Sequence, residues 1–148
     1  MTFAKGMEGR AEAVRYCTEV AEPRPNPFQP PATFLCATAR AINEGFWSMG
    51  GDPLLWSGLR ALDREVFYFV ASEAILAAKG WREAHHGASI PELPLAQAIS
   101  AAYWILCVEP ERRRTWETQR EDWRQVWLAC ARRVLAVADA WRKRRAAA

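Results

Sequence analysis

Apolar residues recur at alternating steps of four and three along the last quarter of the chain, which is the spacing of one face of a long helix. The positions on this face are Trp116, Arg120, Trp123, Trp127, Cys130, Val134, Val137 and Trp141. Leu128, Ala131, Leu135 and Ala138 widen the face in its second half. No glycine and no further proline follows Pro110. The pattern therefore predicts one helix from Pro110 to about Arg145, roughly 54 Å long at 1.5 Å per residue.

The two halves of this predicted helix differ in what shares the apolar face. In the first half three arginines fall within or beside the arc that holds three tryptophans: Arg113, Arg120 and Arg124 with Trp116, Trp123 and Trp127. From Leu128 onward the same arc is apolar, which predicts packing against a core. A mixed arginine–tryptophan face can bind a nucleic-acid backbone and stack on bases. The arginines can equally lie over packed tryptophans and pair with Glu117 and Glu121, and the pattern leaves both interpretations open.

Helical periodicity continues upstream, and no stretch shows the sustained alternation of a strand. Helices are predicted over 31–49, from Asp52-Pro53, over 62–79 and over 95–108. The last two are apolar on nearly all sides, which is typical of central helices. Gly80 predicts the end of the first of them, and a loop is expected over 81–94. The predicted fold class is all-α, a single-domain helical bundle of about five helices. Two central helices are wrapped by amphipathic ones, and a long basic C-terminal helix lies across the bundle.

The N-terminal part of the chain is predicted to hold a weaker helix and a rigid connector. Residues 4–22 carry a modest apolar stripe at helical spacing. Five prolines in the nine residues from Pro23 to Pro31 exclude a helix there. This segment is interpreted as an extended connector, with a proline-rich ligand for an SH3-type domain as the alternative. Residues 1–148 are predicted to form one domain.

Charge is distributed unevenly along the chain. The formal net charge is +3. From Pro110 to the end, eleven basic residues stand against five acidic ones, whereas the preceding part has nine basic and twelve acidic residues. A basic end on a faintly acidic body favours an anionic partner for that end. Nucleic acid, an acidic protein and a membrane surface all carry such charge.

Cysteine usage and hydropathy indicate a cytoplasmic protein without a membrane partner. Cys17, Cys36, Cys107 and Cys130 are spread widely and form no CxxC pair. We expect free, buried thiols in a reducing compartment. The first thirty residues lack the continuous apolar region of a signal peptide. The longest apolar runs are shorter than a membrane span requires and are interpreted as core helices.

No cluster of residues predicts catalysis, a metal or a cofactor. Glu83, His85 and His86 lie close in sequence, but adjacent histidines point apart and no second cluster completes a metal site. Glu73 enters an apolar helix without an evident partner, so it is a weak candidate acid or base. The serines fit no nucleophile elbow, and Gly50-Gly51 lacks the residues of a phosphate loop. We therefore expect a protein that is not an enzyme and needs no cofactor.

The sequence predicts a small helical subunit of a larger assembly that contacts the nucleic-acid backbone without sequence specificity. The residues expected to bind nucleic acid or a partner are Arg112, Arg113, Arg114, Trp116, Arg120, Trp123, Arg124, Trp127, Arg142, Lys143, Arg144 and Arg145. One alternative is a protein-interaction module, an inhibitor or assembly factor, that uses the same arginine–tryptophan face. Another is a homo-oligomer in which the terminal helices of two copies pair.

Overall fold

The computed structural model describes residues 26–48 and 55–148. This part of the chain contains α-helices and short 3₁₀ turns and no strand, which confirms the all-α class. The α-helices are α1 (Phe34–Trp47), α2 (Ala61–Ala84), α3 (Glu92–Cys107) and α4 (Glu121–Ala147). Trp56–Gly58 and Pro110–Arg112 form 3₁₀ turns. The helices predicted over 4–22 and from Asp52-Pro53 lie outside the described residues, as does Cys17.

The four described helices form a ring around one core. α1 and α3 each pack against both α2 and α4. Phe34 at the start of α1 meets Trp141 near the end of α4, with ring centroids 5.9 Å apart. Phe46 at the other end of α1 meets Trp127, at 6.0 Å, so α1 and α4 run antiparallel. The expected arrangement of two central helices with a terminal helix lying across them is therefore wrong for this part of the chain.

The remaining neighbours are antiparallel as well, which gives an up-and-down four-helix bundle. Tyr103 of α3 lies 5.0 Å from Trp127, and Glu92 at the start of α3 pairs with Arg132 further along α4. Val66 near the start of α2 packs against Leu106 near the end of α3. Helices α2 and α4 therefore end at the same end of the bundle.

Helix α2 passes through Gly80 instead of ending there. A β-carbon at Gly80 would have no neighbour within 4 Å, so the residue lies on an open face and nothing requires a turn. The helix ends at Ala84, and the chain leaves it through His86 (φ 54°) and Gly87 (φ 86°). The Gly87 N–H donates to the Arg82 carbonyl at 2.8 Å, which closes the C-terminal cap. The loop predicted over 81–94 is accordingly limited to the residues between Ala84 and Glu92.

Helix α4 begins at Glu121, so the continuous helix predicted from Pro110 is wrong in its first eleven residues. Thr115 and Thr118 close a local turn, because the Thr118 hydroxyl accepts from the Thr115 N–H at 2.9 Å. Threonine hydroxyls that bond the nearby backbone compete with helical hydrogen bonds. The segment 108–120 also has to reverse the chain direction between two antiparallel helices. A helix that continued from Pro110 would not return to the core.

The apolar side of α4 is used within the chain. Trp127, Cys130, Ala131 and Val134 are buried in the common core. The apolar face of the C-terminal helix is therefore not available for pairing between two copies. The alternative in which the terminal helices of two copies pair through this face is wrong. The expectation of buried thiols is confirmed for Cys36 and Cys130, both of which have no exposed surface.

Burial of Cys130 makes stability sensitive to alkaline pH. Burial raises the pKa of this thiol from 9.0 to about 12, whereas the unfolded chain titrates near the ordinary value. Above about pH 9 the unfolded state loses a proton that the folded state retains, so stability falls as pH rises. At pH 10.5 the loss through this group is about 2 kcal/mol. Urea unfolding measures the free energy of unfolding at pH 8 and at pH 10.5. The decrease between the two pH values should be smaller in Cys130→Ala than in the wild type by about 2 kcal/mol. An equal pH dependence in both chains would contradict the burial of the thiol.

Candidate nucleic-acid interface

The tryptophans of the predicted arginine–tryptophan face pack inward. Trp127 has no exposed surface, and Trp123 stacks on it with ring centroids 5.6 Å apart and planes 24° apart. Trp116 and Trp123 are partly buried and pack against the same core. Trp116 precedes α4, so its apparent helical phase with Trp123 has no structural meaning. The prediction that this face offers stacking surfaces is therefore wrong for Trp127, and Trp116 and Trp123 contribute mainly to packing.

A buried glutamine explains how the indoles are held. Gln119 is 5 % exposed, and its Oε1 accepts from Trp127 Nε1 at 2.7 Å and from Trp104 Nε1 at 3.1 Å. Its Nε2 donates to Ser100 Oγ at 2.8 Å. The Gln119 side chain thus joins the segment 108–120, α3 and α4 in a single polar network. Sequence reasoning missed Gln119 because a glutamine between polar residues shows no sign of burial.

Most arginines near the start of α4 already have partners in the chain. Arg120 pairs with Asp122 at 2.7 Å, and Arg124 pairs with Glu121 at 2.8 Å. Hydrogen bonds from Gln125 and then from Arg124 hold the pKa of the Glu121 carboxyl below its ordinary value. The pair between Arg124 and Glu121 matches one part of the alternative interpretation, in which these arginines pair with carboxylates of the chain.

Arg113 caps the C-terminal end of α3. Its Nε donates to the carbonyls of Trp104 and Val108 at 3.2 and 2.9 Å, and a terminal nitrogen donates to Ile105 O at 2.8 Å. These carbonyls lie at a helix end, where a cation is favourable. Arg112 and Arg114 remain at the surface and line an open cleft beside Trp104.

The capping role of Arg113 gives a stability prediction. Arg113→Ala should lower the free energy of unfolding by about 1 kcal/mol, because several carbonyls lose a charged donor at an exposed helix end. Arg112→Ala, one residue away and without such bonds, serves as the matched control and should change stability by less than about 0.5 kcal/mol. Urea denaturation followed by circular dichroism measures both. Equal effects in the two variants would argue against capping.

The positive charge of the last quarter is concentrated in its second half. From Pro110 to Arg124 five arginines stand against four carboxylates, so this part is nearly neutral. From Gln125 to the end, six cations stand against Asp139 alone. Two of the six form ion pairs elsewhere in the bundle, Arg132 with Glu92 and Arg133 with Glu44. The excess of positive charge in this part of the chain therefore comes from residues 142–145.

These four residues lie at the end of α4 and are all exposed. Asp139 contacts Lys143 at 3.0 Å and Arg142 at 3.8 Å, and its hydrogen bond to Lys143 is the main cause that lowers its pKa. Arg144 lies over the Trp141 ring, 5.0 Å from its centroid. Neither Arg144 nor Arg145 forms a salt bridge with a carboxylate of the described residues, so both guanidinium groups can bind an external anion.

The end of α2 adds charge to the same end of the bundle. Arg82 and Arg142 line one cavity of about 80 Å³, with Ser89 between the two helices. Arg142 also donates to Ser89 Oγ at 3.4 Å. Lys79 lies one turn before Arg82 and is exposed. We define the basic end by its exposed cations: Lys79, Arg82, Arg142, Lys143, Arg144 and Arg145. Sequence reasoning missed the α2 contribution because the two helix ends are far apart in the chain.

The weaker chemical candidates are not drawn together. Glu73 is half-buried on α2. His85 stacks on Trp81 at 3.8 Å, and its Nδ1 lies 2.9 Å from the Trp81 carbonyl. In the described ranges no three residues of the metal-binding types form a group that could hold an ion. The absence of a cofactor stays a prediction from the sequence.

Among the helices of residues 26–48 and 55–148, none combines the length and apolar content needed to cross a bilayer. Searches against protein-family models, curated proteins and solved structures find no match for this chain.

Proposed function

We propose that this protein is a non-enzymatic helical subunit that holds the phosphate backbone of a nucleic acid at its basic end. The observation that carries the proposal is the segregation of cations. The basic end presents six exposed cations, while the arginines near the start of α4 are balanced by carboxylates. Clustered exposed Lys and Arg attract phosphates and release condensed counterions, and this attraction needs no base contacts.

The proposal differs from the sequence prediction in where contact occurs. Trp127 is buried and Trp123 is partly buried against it, so base stacking by these rings is not part of the proposal. Arg142, Lys143, Arg144 and Arg145 remain, and Lys79 and Arg82 join them. Arg144 over the Trp141 ring holds one guanidinium against a rigid surface, which lowers the entropy lost when it binds a phosphate. The protein-interaction alternative relied on an exposed arginine–tryptophan surface, and the burial of these rings weakens it.

A pair of double variants tests the location. Arg144→Gln/Arg145→Gln removes two exposed cations of the basic end, and Arg112→Gln/Arg114→Gln removes two exposed arginines elsewhere. Binding to a labelled 20-base-pair duplex of mixed sequence is measured by fluorescence anisotropy at several salt concentrations. The first variant should reduce the slope of log K against log salt by about 1–2 and weaken binding at least several-fold.

The second double variant carries the same charge change and should leave the slope nearly as in the wild type. A larger loss in this variant would place the contact at the 110–120 segment instead. Small and equal losses of affinity in both double variants would reject the basic end as the binding surface. Circular dichroism of each variant confirms that the fold is retained.

A further inference from the structure

A cavity of about 80 Å³ lies at the end of the bundle where α2 and α4 both end. Its walls come from all four helices. The apolar side chains that line it include Phe34 of α1, Ala74 and Ala78 of α2, Leu95 of α3, and Val134 and Ala138 of α4. Ala74 and Leu95 are each only 1 % exposed, whereas Arg82 and Arg142, which also line the cavity, are exposed. The cavity therefore reaches from the surface of the bundle into its core.

Helices α2 and α4 contribute the same order of side chains to this cavity. At steps of four residues, α2 provides Ala74, Ala78 and Arg82, and α4 provides Val134, Ala138 and Arg142. Residues four apart lie on one face of a helix, one turn above the other. Because both helices end at the same end of the bundle, both arginines lie at the outer end of the cavity. Small side chains thus leave the space open, and two cations from different helices stand at its mouth.

The two guanidinium groups have little competition from carboxylates of the chain. Among the described residues, no carboxylate forms a salt bridge with Arg82, and only Asp139, at 3.8 Å, forms one with Arg142. Asp139 lies closer to Lys143, at 3.0 Å. The bond from Arg142 to Ser89 Oγ, at 3.4 Å, is longer than an ordinary hydrogen bond. An anion at the mouth therefore displaces no strong partner of either arginine.

We propose that this cavity binds a short-chain aliphatic carboxylate, with the alkyl chain inside and the carboxylate between Arg82 and Arg142. A phosphate makes no use of an apolar cavity, and an uncharged hydrocarbon makes no use of two cations at its mouth. A fatty acid with a short chain uses both, and guanidinium groups match carboxylates in geometry and charge. This inference goes beyond the proposed function, in which the same two arginines only contact phosphates.

The volume of the cavity sets the length of the alkyl chain. A dry cavity of about 150 Å³ holds a benzene ring, so a cavity of about 80 Å³ holds roughly half as much, three or four carbons. Pentanoate, which has four carbons beyond its carboxylate, is accordingly the probe. A ligand of this small size that fits well should bind with a dissociation constant on the order of 0.1–1 mM.

An NMR titration of the full chain with sodium pentanoate at neutral pH, observed at the methyl groups, tests the proposal. The methyl resonances of Ile90 and Val134, which line the cavity, should shift with a dissociation constant in this range. Those of Ile105, exposed on α3, should not shift. Acetate keeps the charge and lacks the chain, whereas 1-pentanol keeps the chain and lacks the charge. Both should bind at least about tenfold more weakly than pentanoate.

Two variants locate the ligand. Ala138→Leu fills the cavity and should weaken pentanoate binding at least about tenfold. Ala136→Leu, at an exposed alanine of the same helix, is its matched control and should bind as the wild type does. Arg82→Gln keeps the cavity and should weaken pentanoate about three- to tenfold without affecting 1-pentanol. Arg144→Gln, outside the cavity lining, is the control for this change, and circular dichroism confirms that each variant is folded.

The proposal is overturned if no methyl resonance of the cavity shifts at about 20 mM pentanoate. Equal affinities for acetate and pentanoate would contradict it as well, because charge alone would then account for binding. Equal affinities for 1-pentanol and pentanoate would remove the role of the arginines. Binding that persists unchanged in Ala138→Leu would place the ligand outside the cavity. The titration contains no nucleic acid, so its failure is distinguishable from a failure of the proposed function.

Discussion

Replacing Gly45 with alanine should lower the free energy of unfolding by about 3 kcal/mol, the upper part of the range for overpacking in a core. A β-carbon at this position would lie 2.6 Å from Cys130 Cα and 2.7 Å from Cys130 N. Both contacts are with the backbone of α4, so no side-chain rotation relieves them. Helices α1 and α4 would have to separate, and the rings of Phe46 and Trp127, 6.0 Å apart, would lose contact.

Gly80→Ala is the matched control for this prediction. Gly80 also lies within a helix, but nothing lies within 4 Å of an added β-carbon. Alanine should therefore stabilise the chain by about 0.5–1 kcal/mol, because it reduces the freedom of the unfolded backbone. Urea unfolding of the two variants should give shifts of opposite sign. Stabilisation by both substitutions would show that α1 and α4 are not in close contact at Gly45.

Replacing Gln119 with methionine should cost about 3 kcal/mol although the two side chains are similar in size. The substitution leaves Trp127 Nε1 without its acceptor in a site with no exposed surface. Trp104 Nε1 and Ser100 Oγ each lose a partner as well. A buried donor that loses its acceptor costs about 1–3 kcal/mol. The indole N–H proton resonances of the two tryptophans should also move upfield toward unbonded values.

Gln125→Met provides the comparison on the same stretch of chain. The Gln125 amide donates only to the exposed Glu121 carboxylate, at 2.8 Å. Loss of a surface bond of this kind should change stability by less than about 0.5 kcal/mol and leave the two indole resonances in place. If Gln119→Met and Gln125→Met behaved alike, the buried network would not be a determinant of the fold.

The all-α class and the approximate positions of the four helices could be predicted because helical periodicity is a local property of the sequence. The same periodicity misled at the start of α4. Trp116 and Arg120 fall in phase with Trp123, yet the turn closed by Thr115 and Thr118 separates them from the helix. The helical phase of α4 does not extend back to Trp116, because Thr115 and Thr118 favour a turn there.

The arrangement of the helices could not be predicted because it depends on contacts between distant residues. Gly45 allows α1 to approach α4, but the sequence alone assigns no partner to it. The near-uniform hydrophobicity of α3 indicated a central helix, whereas α3 forms one of four sides and keeps an exposed face. Likewise, Arg82 joins Arg142 only through the parallel ends of α2 and α4.

The surroundings of the candidate binding residues could be predicted in part. The basic residues 142–145 were included from their charge, and they remain exposed. The arginines at 113, 120 and 124 were included from their helical phase, and they serve capping and ion pairing instead. Charge counted along the sequence does not reveal which cations already have partners.

The salt dependence of nucleic-acid binding by the wild-type chain tests the central claim most directly. With four to six phosphate contacts, log K against log salt should have a slope of about −3.6 to −5.4 for a duplex. The affinity should then fall roughly 150- to 1800-fold between 50 and 200 mM salt. An absence of binding at 50 mM salt, or binding that does not change with salt, would contradict the claim that the basic end holds a phosphate backbone.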